Sequence, residues 1–206
     1  EIIGKGGKNV EPKAYRLRAQ CALTMSMSKE AIEYSTVIID RRKTDSNEKR
    51  LCYQIRCKAY MQLGRFVEAE ADSKKSRDRN TMDEARTALS LYNDLQVHIK
   101  NNENKQAAQI LDRLLSVASN SPELKLQRSK IAWEFNDYAR FIDVSKGLTE
   151  IYPNDIELMY RIGIVNMCNG NLDEASKRIA DVMKFRGAPN EYKKVRETIR
   201  LLSKYY

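Results

Sequence analysis

The chain has 206 residues, 42% of them hydrophobic, which is enough to bury a core and excludes a disordered tail. Its 37 Lys and Arg against 28 Asp and Glu give a formal charge of +9, but no arginine-rich block accompanies that surplus. Eight Gly and four Pro are too few for the turns of a β-sandwich, so an all-α protein is expected.

No apolar run approaches the roughly 18 residues of a membrane span, so none is expected. No basic and apolar leader opens the sequence, and no export signal is expected in it. The first residue is Glu, and the chain is expected to be a piece of a longer protein. The charge is uneven: residues 1–80 carry 18 basic and 11 acidic side chains, residues 81–206 carry 19 and 17. The signs alternate along the expected helices, which describes a solvated face, and nucleic acid is not an expected partner.

In chain order, residues 1–11 come first and read as a loop remnant. They contain IIGKGGKN, whose GxxG resembles the loop of a KH-type RNA-binding module. Only three residues precede Gly4, which leaves no strand and helix to hold such a loop. The GxxxxGK[ST] spacing of a phosphate-binding loop is absent as well.

From Pro12 the sequence repeats itself. Five amphipathic stretches share a central anchor: Ala31 in SKEAIEYSTVI, Ala69 in FVEAEADSKKS, Ala107 in KQAAQILDRLL, Phe141 in YARFIDVSKGL and Ala175 in LDEASKRIADV. Successive anchors lie 38, 38, 34 and 34 residues apart. A helix-turn-helix unit of about 34 residues is the tetratricopeptide (TPR) repeat, and the two longer intervals each imply a four-residue extension.

With the anchor at position 20, position 8 reads Ala19, Cys57, Leu95, Ser129 and Gly163. Small side chains there let two helices approach to about 8–10 Å, so Leu95 and Phe141 are the misfits. Position 15, the inter-helix turn, reads Ser26, Gly64, Asn102, Asn136 and Gly170, residues that accept left-handed backbone angles. Position 27, facing the next unit, reads Ile38, Ser76, Leu114, Leu148 and Val182. Pro12 and Pro122 stand at position 1, where a missing N–H costs nothing.

The expected fold is a right-handed superhelical solenoid of TPR repeats. Units one and two occupy 12–87 and units three to five 88–189, with a seam near residues 78 to 88. Residues 190–206 form a capping helix or the first helix of a further unit.

Chemistry is hard to place. The single histidine, His98, falls at position 11 and reads as a packed core residue, with no partner for a general-base pair. Asp173 and Glu174 begin a second helix, where they complement its dipole. Cys21, Cys52, Cys57 and Cys168 form no CxxC and no cluster with histidine, so no metal site is expected and each reads as a small packed hydrophobe. No catalytic residue, no cofactor and no enzyme activity are expected.

The surface that remains is the hollow lined by first helices. Position 12 reads Leu23, Met61, Ile99, Trp133 and Met167, and position 5 adds Tyr92, Leu126 and Tyr160. These eight are the candidate client-binding residues, either as an apolar stripe open to unfolded polypeptides or as packing between units. A carboxylate clamp for acidic tails does not fit. Its places hold Arg16, Gln20 and Ile55 in one register and Gln54, Lys58 and Asn93 in the next, followed by Glu123 and Gln127.

Over residues 12–206 the chain resembles one TPR family, the J-domain co-chaperones of the endoplasmic reticulum lumen, known also as inhibitors of the interferon-induced protein kinase. SKEAIEYSTVI, GRFVEAEADSKK, AAQILDRLLSV and EYKKVRETIRLL carry the resemblance. It implies a longer protein with further TPR units and a J domain that stimulates the lumenal chaperone BiP, while the TPR array holds unfolded or misfolded chains. No His-Pro-Asp tripeptide is present, since Ile99 follows the only histidine, so stimulation of a chaperone ATPase is not expected of this segment. A lumenal location is implied by the resemblance alone. A cytosolic TPR scaffold that assembles a defined complex is the alternative.

Overall fold

The computed structural model describes residues 11–185 and 190–203, which hold twelve helices and no strand. Hairpins follow one another: α1 (Pro12–Thr24) with α2 (Ser28–Asp40), α3 (Ser46–Gln62) with α4 (Phe66–Ser76), and α5 (Arg79–Lys100) with α6 (Asn104–Val117). Next come α7 (Pro122–Glu134) with α8 (Tyr138–Ser145) and α9 (Leu148–Ile151), then α10 (Ile156–Cys168) with α11 (Leu172–Val182), and α12 (Asn190–Leu202) last. This is an all-α array of TPR hairpins. The GxxG of residues 4–7 and the rest of the expected loop up to residue 10 lie outside the described residues.

Helix starts follow local chemistry. Pro12 and Pro122 open α1 and α7 at position 1 of their units, as Ile156 opens α10. Asp45, Asp78, Asp137 and Asp155 each accept a backbone N–H of the following first turn, at 2.8, 2.9, 3.1 and 2.9 Å. The two 38-residue intervals are absorbed at these starts. α3 begins at Ser46, before position 1 at residue 50, and α5 begins at Arg79, before position 1 at residue 88.

The turns obey the spacing. Ser26, Gly64, Asn102, Asn136 and Gly170, all at position 15, adopt φ between 56° and 77°. In each, the N–H of position 16 reaches the carbonyl of position 11 at 2.9 Å, and the N–H of position 15 reaches that of position 12. That pair of bonds is the Schellman ending, repeated five times.

The interior is built from the same register. Positions 8, 20 and 27 are buried in every unit. Leu95 and Phe141 are accommodated because each is matched by a small residue at the other position of its unit, Ala107 and Ser129. At Gly163 the helices approach closely: a Cβ there would lie 2.7 Å from Ile179 Cδ1, so the Ile179 side chain would have to shift.

The chain divides into two compact units, one up to Leu124 and one from Lys125 onward. Residues 78 to 88, the expected seam, instead lie at and within α5, which runs unbroken for 22 residues. In the first unit Asn120 donates its side-chain amide to the Ser26 carbonyl (2.9 Å) and to Ser28 Oγ (3.2 Å), and its N–H to the Gln62 carbonyl (3.1 Å). A connection thus binds two inter-helix turns far from it in sequence. In the second unit Gly147, at φ 75°, interrupts the second helix of repeat four between α8 and α9.

Candidate protein-binding surface

The eight candidate residues lie on first helices, and packing treats them differently. On α1, Leu23 is 7% exposed and belongs to a core cluster with Ala19, Ala22, Ala31, Ile55 and Ala59. Met61, on α3, is likewise 7% exposed. Most of the surface of these two is therefore spent on holding their hairpins. On α5, Tyr92 and Ile99 are half-buried, with the Tyr92 ring 5.4 Å from that of Phe66.

In the second unit the four candidates sort into two pairs. Leu126 and Trp133, seven residues apart on α7, both pack on a cluster of Ala132, Phe141, Leu148, Leu158, Ile162 and Val165. Trp133 meets Phe141 and Tyr138 edge-on, with centroids 5.4 and 5.6 Å away, and the Arg161 guanidinium stands 5.1 Å from its ring. Tyr160 and Met167, seven apart on α10, pack instead on Ala175, Ile179 and Ile199. The Tyr160 ring stacks on Tyr192 of α12 at 4.0 Å. All four keep part of their surface in solvent.

Other apolar side chains are more open than any candidate. Met25 is 70% exposed, Val97 56% and Phe135 54%. They follow or flank the ends of first helices, where the repeat rule assigns no packing partner, and that absence is the signal by which they can be found in the sequence.

Several charged and reactive side chains are committed to structure. Arg56 Nε and Nη2 grip both oxygens of Asp72 at 2.6 and 3.0 Å, and its Nη1 donates to Thr36 Oγ1 at 2.9 Å. Its guanidinium also lies over Tyr53 and Tyr60. Ile55, one of the clamp positions, is buried, and Arg16 pairs with Glu48 at 2.7 Å, so an acidic tail finds neither.

His98 is not the packed core residue expected from its position. It is partly exposed at the end of α5, and its Nδ1 is paired with Glu103 across the turn. The cysteines also split. Cys52 and Cys57 are buried as expected, and burial pushes their thiols up to about 11 and about 12. Cys21 and Cys168 are exposed rather than packed. Glu174 begins α11 and pairs with Arg178 at 2.7 Å. Among the described residues no group of three or more His, Cys, Asp or Glu could hold a metal ion, and no helix is long and apolar enough to cross a membrane.

No protein-family model matches the sequence, and no curated protein matches it. Among solved structures, the TPR domain of P58(IPK) is similar with a TM-score of 0.71 over 96% of this chain, at 19% sequence identity. This chain spans 57% of the P58(IPK) chain. MamA from AMB-1 is similar with a TM-score of 0.50 at 15% identity, over 75% of this chain and 82% of that one. The likeness is one of fold: repeated TPR hairpins.

Proposed function

We propose that this chain is a protein-binding TPR array, the client-holding segment of a co-chaperone that keeps unfolded or misfolded polypeptides for a partner chaperone. The observation that carries this reading is the incomplete burial of Tyr92, Ile99, Leu126, Trp133, Tyr160 and Met167. Six first-helix side chains of large apolar area keep some of it in water at repeat positions 5 and 12. Two of the six belong to the first unit and four to the second, and on each unit such area gains free energy by covering any apolar segment and reads no sequence in doing so. Leu23 and Met61 lie buried in the hairpins of α1 and α3, which present none of these six, and serve packing instead. The resemblance noted in the sequence implies a BiP-type partner, reached through a J domain that this segment does not contain, and the endoplasmic reticulum lumen as the compartment.

The test is suppression of light scattering by a heat-denaturing enzyme. Ile99→Ser with Met167→Ser should weaken suppression while helical circular dichroism stays unchanged. Full suppression by the folded double variant would overturn the reading. A scaffold for one defined complex would instead bind a single native peptide and leave the aggregating enzyme unprotected.

A further inference from the structure

A second surface, sharing no residue with the apolar candidates, lies at the edge of the first unit where one hairpin passes to the next. Arg50 Nε on α3 donates to the Ser76 carbonyl at the end of α4 at 3.2 Å, which sets the connection entering α3 beside the one leaving α4. Residues 41–50 and 74–79 hold nine basic side chains, Arg41 to Lys43, Lys49, Arg50, Lys74, Lys75, Arg77 and Arg79, against three acidic ones, Asp45, Glu48 and Asp78.

Those acids are already engaged. Asp45 and Asp78 cap α3 and α5, and Glu48 pairs with Arg16. Hydrogen bonds from Thr81, joined by the fields of Lys58 and Arg50, hold the Asp78 carboxyl below its usual range. By contrast Arg42, Lys43, Arg77 and Arg79 are exposed and have no carboxylate at ion-pair distance among the described residues. Arg77 stands in the left-handed region at φ 55°, where a long cationic side chain is an uncommon choice. The feature is local, because the connections at 118–121 and 152–155 contain no basic residue.

We propose that this edge docks an acidic polypeptide segment, an extended run of Asp and Glu on a partner protein. Arginine forks match carboxylates two bonds at a time, and three of the four open cations are arginines. Nucleic acid fits less well, since the nearby Tyr53 ring is taken by Arg56 and Lys75, at 5.5 and 5.4 Å, and offers no face to a base. An anionic bilayer fits less well again, because no exposed large apolar side chain falls within 40–50 or 74–82 to insert into it.

The test is fluorescence anisotropy of the whole 206-residue chain with a labelled peptide of about ten glutamates, in low and in physiological salt. Arg42→Glu with Lys43→Glu, and Arg77→Glu with Arg79→Glu, should each weaken binding about tenfold and flatten its salt dependence. Lys105→Glu with Lys130→Glu makes the same charge change elsewhere and should alter it less than about twofold. Arg77→Gln with Arg79→Gln covers the case in which a reversal disturbs folding. Equal losses in edge and control variants would overturn the proposal. So would tighter binding to an RNA oligomer or to phosphatidylserine vesicles than to the glutamate peptide. Loss of aggregation suppression leaves this result standing, since no residue is shared.

Discussion

The side-chain amide of Asn120 donates to the carbonyl of Ser26, 2.9 Å away and 94 positions earlier in the chain. A stack whose units touch only their neighbours has no use for such a bond, because the hairpin of Ser26 and the connection at 118–121 belong to repeats one and three. Together with the Ser28 and Gln62 bonds, it makes the residues up to Leu124 one body rather than three loosely coupled hairpins.

Asn120→Ala should therefore cost the first unit about 1 kcal/mol, the usual worth of a lost hydrogen bond. Amide exchange should quicken at 26–28, where both side-chain bonds of Asn120 end, although that turn lies 94 positions away in the chain. Exchange confined to the neighbourhood of the substituted residue would show that the tie carries no stability.

Gly64 and Gly170 share a left-handed turn at φ 75° and 77° but not their surroundings. A Cβ at Gly64 would lie 2.7 Å from Ser121 Oγ, whereas one at Gly170 meets nothing within 4 Å. Gly170→Ala should cost only the backbone penalty of about 1 kcal/mol. Gly64→Ala should cost roughly twice that and loosen the bond that the Leu124 N–H donates to Ser121 Oγ, at 3.4 Å, where α7 begins. Urea unfolding of the two variants beside the parent measures both, and equal losses would remove the contact from the account.

The five turns were legible because a left-handed ending selects Gly, Asn or Ser locally, and the period then places them. Positions 8, 20 and 27 were legible for the same reason, since helix pairing within a hairpin is short-range. What the period cannot report is which distant element a connection meets, so Asn120 gave no signal. Nor does it set where a first helix starts, and the long α3 and α5 are visible only through Asp45 and Asp78 as caps. The candidate surface was legible as a row of apolar residues but not in its burial. Leu23 and Met61 sink into their hairpins because small residues surround them, such as Ala19, Ala22 and Ala59 around Leu23.

Arg56 and Asp72 form a bidentate pair whose side chains are 13% and 5% exposed. Asp72→Ala would leave a guanidinium desolvated and should cost about 3–5 kcal/mol. Arg56→Met added to Asp72→Ala should recover part of that loss, because no charge then stays buried alone. A double variant less stable than Asp72→Ala would show that Thr36, Tyr53 and Tyr60, rather than the carboxylate, hold the guanidinium.

Cys52 and Cys57 give the first unit a dependence on alkaline pH. Their folded thiols titrate at about 11 and about 12, against 9.0 without burial, so the folded state holds both protons after the unfolded chain has released them. A raised folded value means that the contribution is complete below pH 9 and is lost as the pH climbs toward 11 and 12. At about pH 10 each thiol should cost about 1.4 kcal/mol relative to neutral pH. Tyrosines and lysines titrate in the same range, and the comparison that isolates the thiols is Cys52→Ala with Cys57→Ala. Urea midpoints followed by circular dichroism should fall less steeply between about pH 8 and 10 in that variant than in the parent. The same burial keeps Cys52 and Cys57 from a thiol reagent in native buffer while the exposed Cys21 and Cys168 react. Parallel pH curves, or four thiols reacting alike without denaturant, would mean that the hairpin of α3 opens far more readily than its packing implies.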